Sequence, residues 1–268
     1  MKRKPSVAGY FYPHNPGALS DMIEEMVDPH AQKQKAISVI SPHAGYVYSG
    51  QVAGSVFSSV ELPENCIILG PNHQGLAKES YIMKQGVWET PLGDVEINTK
   101  LADFIMKQSE DLKESAENHS LEHSLEVQVP FIQFLKGNFS LVPIVVAYFA
   151  SYDELTKLGE AIARAIREYG QDVLIVASTD MSHQVSQEEA KTKDFLAIDK
   201  ILDLDARGLY DVVKREEISM CGFQSTTAAI VASNELKAKK AELIKYQTSG
   251  DVSGDYSKVV GYAGIRIT

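Results

Sequence analysis

The sequence has few cysteines and no long hydrophobic run. Its 2 cysteines in 268 residues are too few for a disulfide framework, and we expect both thiols to stay reduced. The longest apolar stretch, residues 141–150, is shorter than the ~20 residues that a transmembrane helix needs. No apolar segment follows the basic N-terminus, so no secretory signal is predicted. These absences predict a cytoplasmic protein that does not bind membranes.

Positive charge is also scarce. The chain has 26 Lys and Arg against 36 Asp and Glu, a formal net charge of -10, which disfavours nucleic acid and anionic membranes as partners. The hydrophobic fraction of 44% excludes a disordered or collagen-like chain. A chain of this length buries roughly 70–75% of its unfolded surface, which is enough for a core without a structural metal. A bound metal would therefore be functional.

Short apolar runs alternate with amphipathic stretches along the whole chain, and no linker divides them. Asn15 and Pro16 predict the start of a helix that runs to about residue 28. Strands at 36–41 and 66–69 enclose a helix near 50–60, which is typical of a parallel βαβ unit. We predict a single α/β domain over residues 1–268, with a mostly parallel central sheet flanked by helices.

The rest of the chain continues this alternation. Gly170 predicts the end of a long amphipathic helix, and Pro130 predicts a kink or a second helix start within the segment 120–135. The further expected elements are a hairpin or loop at 81–95, a helix from Asn98 to about 108, a strand at 141–147, a helix at 151–169, a strand at 172–177, two or three helices between 187 and 236, and strands near 243–248 and 259–267.

Three histidines follow apolar strands. His43, His73 and His183 each come just after the carboxyl end of a predicted strand. A lone histidine in such a place usually packs in a loop or caps a strand. Ligand crevices of open α/β sheets lie at these strand ends, so three such histidines predict one shared site.

Asp180 lies in the same short loop as His183. Its carboxylate is suited to orient the imidazole or to accept a proton, which makes both residues catalytic candidates. An Asx-turn or a helix N-cap at Asp180 explains the residue equally well.

The segment 118–126 concentrates polar residues. His119 and His123 are four residues apart, as are Glu122 and Glu126, but the zincin pattern His-Glu-x-x-His is absent. Taken alone, the pattern predicts a solvated, charged helix start.

The two cysteines have different contexts. Cys66 begins an apolar strand and is interpreted as a buried core residue. Cys221 precedes a predicted helix capped by Ser225 or Thr226, a position expected to lower the pKa of a thiol and to favour a nucleophile or metal ligand. A buried loop thiol without function is nearly as good an interpretation.

Several common motifs are missing. The sequence has no Gly-x-Ser-x-Gly nucleophile elbow, no Gly-x-x-x-x-Gly-Lys phosphate loop and no Gly-x-Gly-x-x-Gly dinucleotide loop. Serine hydrolase, NTPase and nicotinamide oxidoreductase functions therefore lack their usual support.

Seven segments together resemble the Memo family, whose prokaryotic members are called AmmeMemoRadiSam system protein B. They are residues 8–13 (AGYFYP), 42–50 (PHAGYVYSG), 70–73 (GPNH), 122–128 (EHSLEVQ), 178–183 (STDMSH), 220–222 (MCG) and 248–251 (TSGD). The segments are individually weak, but they occur in order over nearly the full chain. The family is similar in fold to the class III extradiol dioxygenases, which are non-haem iron enzymes with an α/β core.

The resemblance implies a metal site. It gives His43 and His73 the positions of the two histidine ligands of the dioxygenases, and Cys221 the position of their carboxylate ligand. His123, Asp180 and His183 correspond to nearby residues that handle protons or orient substrate. Two imidazoles and a thiolate form a softer site than that of the dioxygenases, suited to iron, copper or zinc.

The leading hypothesis is an iron- or copper-dependent redox enzyme that acts on a small molecule or a peptide. Fold-level analogy alone supports the dioxygenase-like chemistry. An alternative is a non-catalytic module that binds a peptide or phosphopeptide in the same cleft, and a third is a hydrolase with Cys221 as nucleophile and His183 as base. The prokaryotic family name also implies a functional link to a radical SAM protein and an AMMECR-type protein.

Overall fold

The structure is a computed structural model that describes residues 1–75 and 79–268. Its helices are α1 (Pro16–Glu24), α2 (Tyr46–Ser58), α3 (Thr99–Gln108), α4 (His123–Glu126), α5 (Val129–Lys136), α6 (Tyr152–Tyr169), α7 (Gln187–Leu202), α8 (Ala206–Arg215), α9 (Phe223–Glu235) and α10 (Gly250–Ser253), with a 3-10 turn at Glu117–His119. Its strands are β1 (Lys2–Arg3), β2 (Ser38–Ser41), β3 (Asn65–Pro71), β4 (Tyr81–Ile82), β5 (Val87–Thr90), β6 (Gly93–Ile97), β7 (Lys113–Glu114), β8 (Ser140–Val146), β9 (Leu174–Ser178), β10 (His183–Val185), β11 (Ala241–Thr248) and β12 (Val259–Ile267).

One mixed sheet runs through the chain. Its main path is β1-β5-β6-β8-β3-β9-β2-β12-β10, and the run from β6 to β2 is parallel. Ser41 pairs with Ser178, and Leu69 pairs with Ala177, so the carboxyl ends of β2, β3 and β9 lie side by side. The predicted α/β fold with a mostly parallel sheet is confirmed, and its strand ends bring together the loops that follow them.

Antiparallel strands flank the parallel centre. β12 pairs with β2, β10 and β11 in antiparallel fashion, and β5 and β6 form the hairpin expected within residues 81–95. The N-terminal strand β1 was not expected from the sequence. It pairs with β5 at the far side of the sheet.

The core lies on both faces of the sheet. Successive strand residues alternate between two apolar clusters: Ile67 and Leu69 face one cluster, and Cys66 and Ile68 face the other. The first cluster packs against α3, α6, α7, α8 and α9, and the second against α1, α2 and α5. Cys66 is fully buried, as predicted, and burial raises the pKa of its thiol to about 12.

Local signals place most helix ends correctly. Asn15 accepts from the Ala18 N–H at the start of α1, although the helix ends at Glu24 and not near residue 28. Helix α6 has a complete capping box at Ser151 and ends at Gly170 in a left-handed conformation. Helix α2 begins at Tyr46, four residues before the predicted start, because Gly45 serves as its N-cap.

The segment 120–135 divides at Pro130, one of the two outcomes that its sequence predicted. A 3-10 turn, the short helix α4 and then α5 follow one another, with Pro130 in the first turn of α5. None of the helices in the described ranges combines the length and the apolar character required to cross a bilayer.

Candidate metal centre

Three imidazoles meet at the carboxyl edge of the parallel strands. Among residues 1–75 and 79–268, the group with metal-ligand geometry comprises His43, His73 and His123, one ligand nitrogen from each lying within 4.8 Å of the others. The ring centroids of His73 and His123 are 4.7 Å apart, and those of His43 and His73 are 5.2 Å apart. His43 and His73 thus lie together, as their positions after strand ends predict. The third histidine of the group is His123 in place of His183.

The orientation of His43 is set by hydrogen bonds. Its Nδ1 lies 2.9 Å from Ser178 Oγ, which donates its own hydrogen to the Ser124 carbonyl at 2.6 Å and accepts from Gln128 Nε2 at 2.8 Å. Since the Ser178 hydrogen is already used, His43 must donate from Nδ1. Its Nε2 is therefore unprotonated and carries a lone pair. Burial and the neighbouring imidazoles of His73 and His123 hold the pKa of His43 well below its usual value.

His73 is held by a buried carboxylate. Its backbone N–H donates to Glu122 Oε2 at 2.6 Å, and its Nδ1 lies 2.9 Å from Glu122 Oε1, which also accepts from the Ser124 N–H at 2.9 Å. Burial alone would raise the pKa of Glu122, but the hydrogen bonds from His73 and Ser124 hold it at about 2. The carboxylate is therefore ionised, and His73 carries its proton on Nδ1 and leaves Nε2 free.

His123 is the first residue of α4. Its ring meets Phe11 edge to face at 4.9 Å, and its Nδ1 lies 3.6 Å from Glu122 Oε1. Burial lowers the pKa of His123. The prediction of a solvated helix start is wrong here, because His119, Glu122 and Glu126 are fully buried. The polar groups of these residues bond mainly to other segments inside the protein.

Glu126 ties the N-terminal segment to α4. Its carboxylate makes a 2.7 Å ion pair with Arg3 and accepts hydrogen bonds from the Ser6 and Val7 N–H groups and the Tyr12 hydroxyl. These contacts place the loop that carries Phe11 over His123. Glu122 and Glu126 thus have different partners, since the Glu122 carboxylate contacts the imidazoles and the Glu126 carboxylate contacts the N-terminal segment.

Cys221 contacts the imidazole cluster through His43. Its Sγ lies 3.2 Å from His43 Nε2 and accepts from the Asp180 N–H at 3.3 Å. Helix α9 begins two residues later with Gly222 as N-cap and without a side-chain cap, so the expected capping by Ser225 or Thr226 is wrong. The expected low pKa is also wrong, because burial and the Asp180 carboxylate raise the pKa of this thiol.

Asp180 and His183 do not pair as predicted. Asp180 accepts from the His43 N–H at 2.7 Å, and burial raises its pKa although hydrogen bonds from the backbone of His43 and Ala44 oppose the rise. His183 Nδ1 donates to the Ser219 carbonyl at 2.8 Å, and its backbone N–H donates to Ser219 Oγ. Asp180 therefore orients the His43 loop, and Ser219 orients His183.

Comparisons with known proteins match this chain over almost its full length. The family model described as Memo-like protein matches residues 3–266. The chain belongs to the Memo family. A MEMO1 family protein of Methanothermobacter thermautotrophicus is 42% identical over 98% of this chain and 99% of its own, and one of Archaeoglobus fulgidus is 43% identical over 98% of each.

A solved structure has a similar fold. The uncharacterized protein JW3007 of Escherichia coli K12 superimposes with a TM-score of 0.54 over 85% of this chain and 99% of its own. With 11% sequence identity, this likeness concerns the fold alone.

The donor set of this Memo family member fits a transition metal. His43 and His73 each have a hydrogen-bonded Nδ1 and an unprotonated Nε2, the arrangement that metal-binding histidines commonly show. A thiol lies at contact distance from His43. Nitrogen and sulfur donors suit iron, copper and zinc and disfavour magnesium and calcium.

Three functional residues of this Memo protein escaped the sequence interpretation: Ser178, Glu122 and Gln128. Ser178 and Gln128 are fully buried and fix the His43 ring. Their partners lie 50 or more residues away in the chain. The one available signal was that Glu122 directly precedes a histidine.

Proposed function

We propose that this Memo protein is a redox enzyme in which His43, His73 and Cys221 hold iron or copper. The observation that carries the proposal is the convergence of two imidazoles with unprotonated Nε2 atoms and a thiol at the carboxyl edge of the sheet, where the thiol contacts the Nε2 of His43. Zinc is the alternative metal. Three protein ligands leave open positions for substrate, as in catalytic metal sites.

A bound iron or copper ion supplies one-electron chemistry that protein side chains lack. The side chains around it position ligands and move protons. Asp180 holds the two sides of the site together, because its carboxylate accepts from the His43 N–H and its own N–H donates to Cys221 Sγ. It is thus a positioning residue.

Two histidine side chains near the proposed ligands are placed to accept and donate protons at the site. His183 donates from Nδ1 to the Ser219 carbonyl, so its Nε2 is free to accept a proton, and the residue is half-buried at the edge of the site. His123 lies within the imidazole cluster beside the proposed ligands. We assign proton transfer to these two histidines.

Metal analysis of anaerobically purified protein tests the proposal. We expect about one iron or copper ion per chain, and an EPR signal once the loaded protein is oxidised to the Fe(III) or Cu(II) state. Cys221→Ser should lose most of the metal, whereas Cys66→Ala, a substitution of the buried core cysteine, should retain it. A wild-type protein without stoichiometric metal, or equal metal content in Cys221→Ser, would contradict the proposal.

A second variant separates the roles of the imidazoles. His123→Gln should keep the metal but lower turnover, because His123 is assigned to proton transfer. Loss of metal in this variant equal to that in His43→Gln would instead make His123 the third ligand and remove that assignment.

A peptide-binding module is the alternative function. Exposed aromatic side chains lie on loops at the carboxyl edge of the sheet, including Tyr10 at 89% and Phe149 at 64% exposure. Tyr148 is adjacent to Phe149, and its carbonyl accepts a hydrogen bond from Gln224, three residues after Cys221. A protein that carries metal but consumes no oxygen with any catechol, thiol or peptide would favour this alternative.

The cysteine hydrolase hypothesis has less support. The imidazole that contacts Cys221 Sγ is that of His43, not His183, and the pKa of the thiol is raised by burial. A nucleophilic cysteine must form the thiolate without help from a metal, whereas a bound metal ion would itself deprotonate a coordinating thiol. This hypothesis predicts iodoacetamide labelling of Cys221 that bound metal does not prevent.

A further inference from the structure

Glu122 is a buried carboxylate with an unusual set of partners. Its side chain is fully buried, and its ion-pair contacts in the described ranges are with His73 Nδ1 at 2.9 Å and His123 Nδ1 at 3.6 Å. Its other oxygen accepts the backbone N–H of His73 at 2.6 Å. A single carboxylate thus contacts the Nδ1 atoms of two of the three clustered imidazoles.

Capping of α4 does not account for this arrangement. Glu122 accepts from the Ser124 N–H at the start of that helix, a task that any short polar side chain performs. Capping requires neither the Nδ1 contact nor the bond to the His73 backbone. Burying an ionised carboxylate costs several kcal/mol unless hydrogen bonds or positive charge compensate it. The N–H groups of His73 and Ser124 supply that compensation here, and a cation bound to the other ring nitrogen of His73 would add to it.

We infer that Glu122 is a positioning residue of the metal site, which fixes His73 in the Nδ1–H tautomer, aims its Nε2 at the metal and strengthens metal binding through its negative charge. The inference rests on the proposed function. The two proposed histidine ligands also differ in the charge of their hydrogen-bond partners. His73 bonds to a carboxylate, whereas His43 bonds to the neutral hydroxyl of Ser178. Carboxylates that hydrogen-bond metal-binding histidines raise the basicity of the imidazole.

Glu126 offers a matched control. Both carboxylates are fully buried and lie one helical turn apart, but the Glu126 side chain bonds to the N-terminal residues Arg3, Ser6, Val7 and Tyr12. Neutralising either one removes a buried negative charge from the same region. Of these two carboxylates, only that of Glu122 hydrogen-bonds to a proposed metal ligand.

The experiment measures zinc affinity by competition with a chromophoric chelator under reducing, anaerobic conditions. We expect Glu122→Gln to bind Zn²⁺ about 10- to 100-fold more weakly than the wild type, the usual loss when such a partner is removed. Glu126→Gln should stay within about threefold of the wild type. Equal affinity of Glu122→Gln and wild type would overturn the inference while leaving the metal site intact.

A second measurement does not depend on metal or on a folded variant. Nitrogen NMR of the metal-free wild type should find the His73 proton on Nδ1, because the carboxylate accepts it there. A proton on Nε2 would overturn the inference even if Glu122→Gln fails to fold. If the wild type binds neither zinc nor iron nor copper, the proposed function fails and the inference fails with it, and the expected tautomer of His73 would then show only a structural role of Glu122.

Discussion

His119 shows how burial makes a single residue sensitive to pH. The side chain is fully buried, with Nδ1 2.7 Å from the Ser115 carbonyl and Nε2 3.2 Å from the Pro143 carbonyl. A neutral imidazole donates to only one of them. Burial nevertheless lowers the pKa to about 4, despite both carbonyl contacts, because the charged form loses its hydration.

This residue should destabilise the fold in acid. Below about pH 6.5 the unfolded chain takes up a proton at His119, whereas the folded chain does so only near pH 4, so stability falls as the pH drops between these values. The contribution is about 2–3 kcal/mol at pH 4.5. We therefore predict that His119→Gln loses less stability than the wild type between pH 7 and pH 4.5 in urea unfolding. Parallel losses in the two proteins would contradict this prediction.

At the scale of elements, the contact between α9 and β9 decides where Cys221 lies. The Gly222 N–H donates to Thr179 Oγ1 at 2.9 Å. A Cβ atom at Gly222 would come within 2.4 Å of the Ser178 carbonyl oxygen and 2.7 Å of Thr179 Cβ. These atoms belong to the end of a central strand, so the start of α9 would have to move away instead.

Gly222→Ala should therefore affect both stability and metal content. We expect a loss of about 1–3 kcal/mol, typical of overpacking, together with weaker metal binding because Cys221 is displaced. Gly75→Ala is a suitable control, since no atom of residues 1–75 and 79–268 lies within 4 Å of a Cβ placed there. Thermal unfolding and metal analysis of both variants check the prediction, and an unchanged metal content in Gly222→Ala would count against it.

For the whole molecule, the site lies at one edge of the core. The proposed ligands lie at the carboxyl edge of the sheet, whereas the two apolar clusters pack along its faces. Folding of a chain this large does not require a metal. A bound metal would stabilise the folded state by mass action alone.

The metal-free protein should consequently remain folded. We predict that chelator-treated wild type and Cys221→Ser keep the far-UV circular dichroism of the loaded protein and unfold cooperatively, with only a lower Tm. Exposed apolar surface or lost helicity after chelation would show that the centre is structural.

Much of the fold was predictable because its signals are local. The caps at Asn15 and Ser151, the stop at Gly170 and the break at Pro130 act within a few residues of themselves. The apolar strands predicted the parallel core. The two-residue strand β1 escaped notice, because its place depends on pairing with β5, which lies more than 80 residues further along the chain.

The site was predictable in part for the same reason. His43 and His73 follow buried strands whose ends must align in a parallel sheet, so their meeting follows from the order of elements. Cys221 became a candidate through its position before a predicted helix, and its role as a metal ligand came from the resemblance and not from a strand end. Its high pKa could not be anticipated, because the depth of burial and the nearby Asp180 carboxylate arise from distant segments.

Residues 118–126 show most clearly which features the sequence determines and which features depend on the tertiary structure. A run of histidines and glutamates has the composition of a solvated surface, and local pattern alone cannot distinguish it from a buried polar network. The sequence alone established the α/β architecture and the edge at which two histidines meet. Packing of the N-terminal segment and of the loop after β3 over α4 excluded water, turned Glu122 towards His73 and Glu126 towards Arg3, and brought His123 into the cluster.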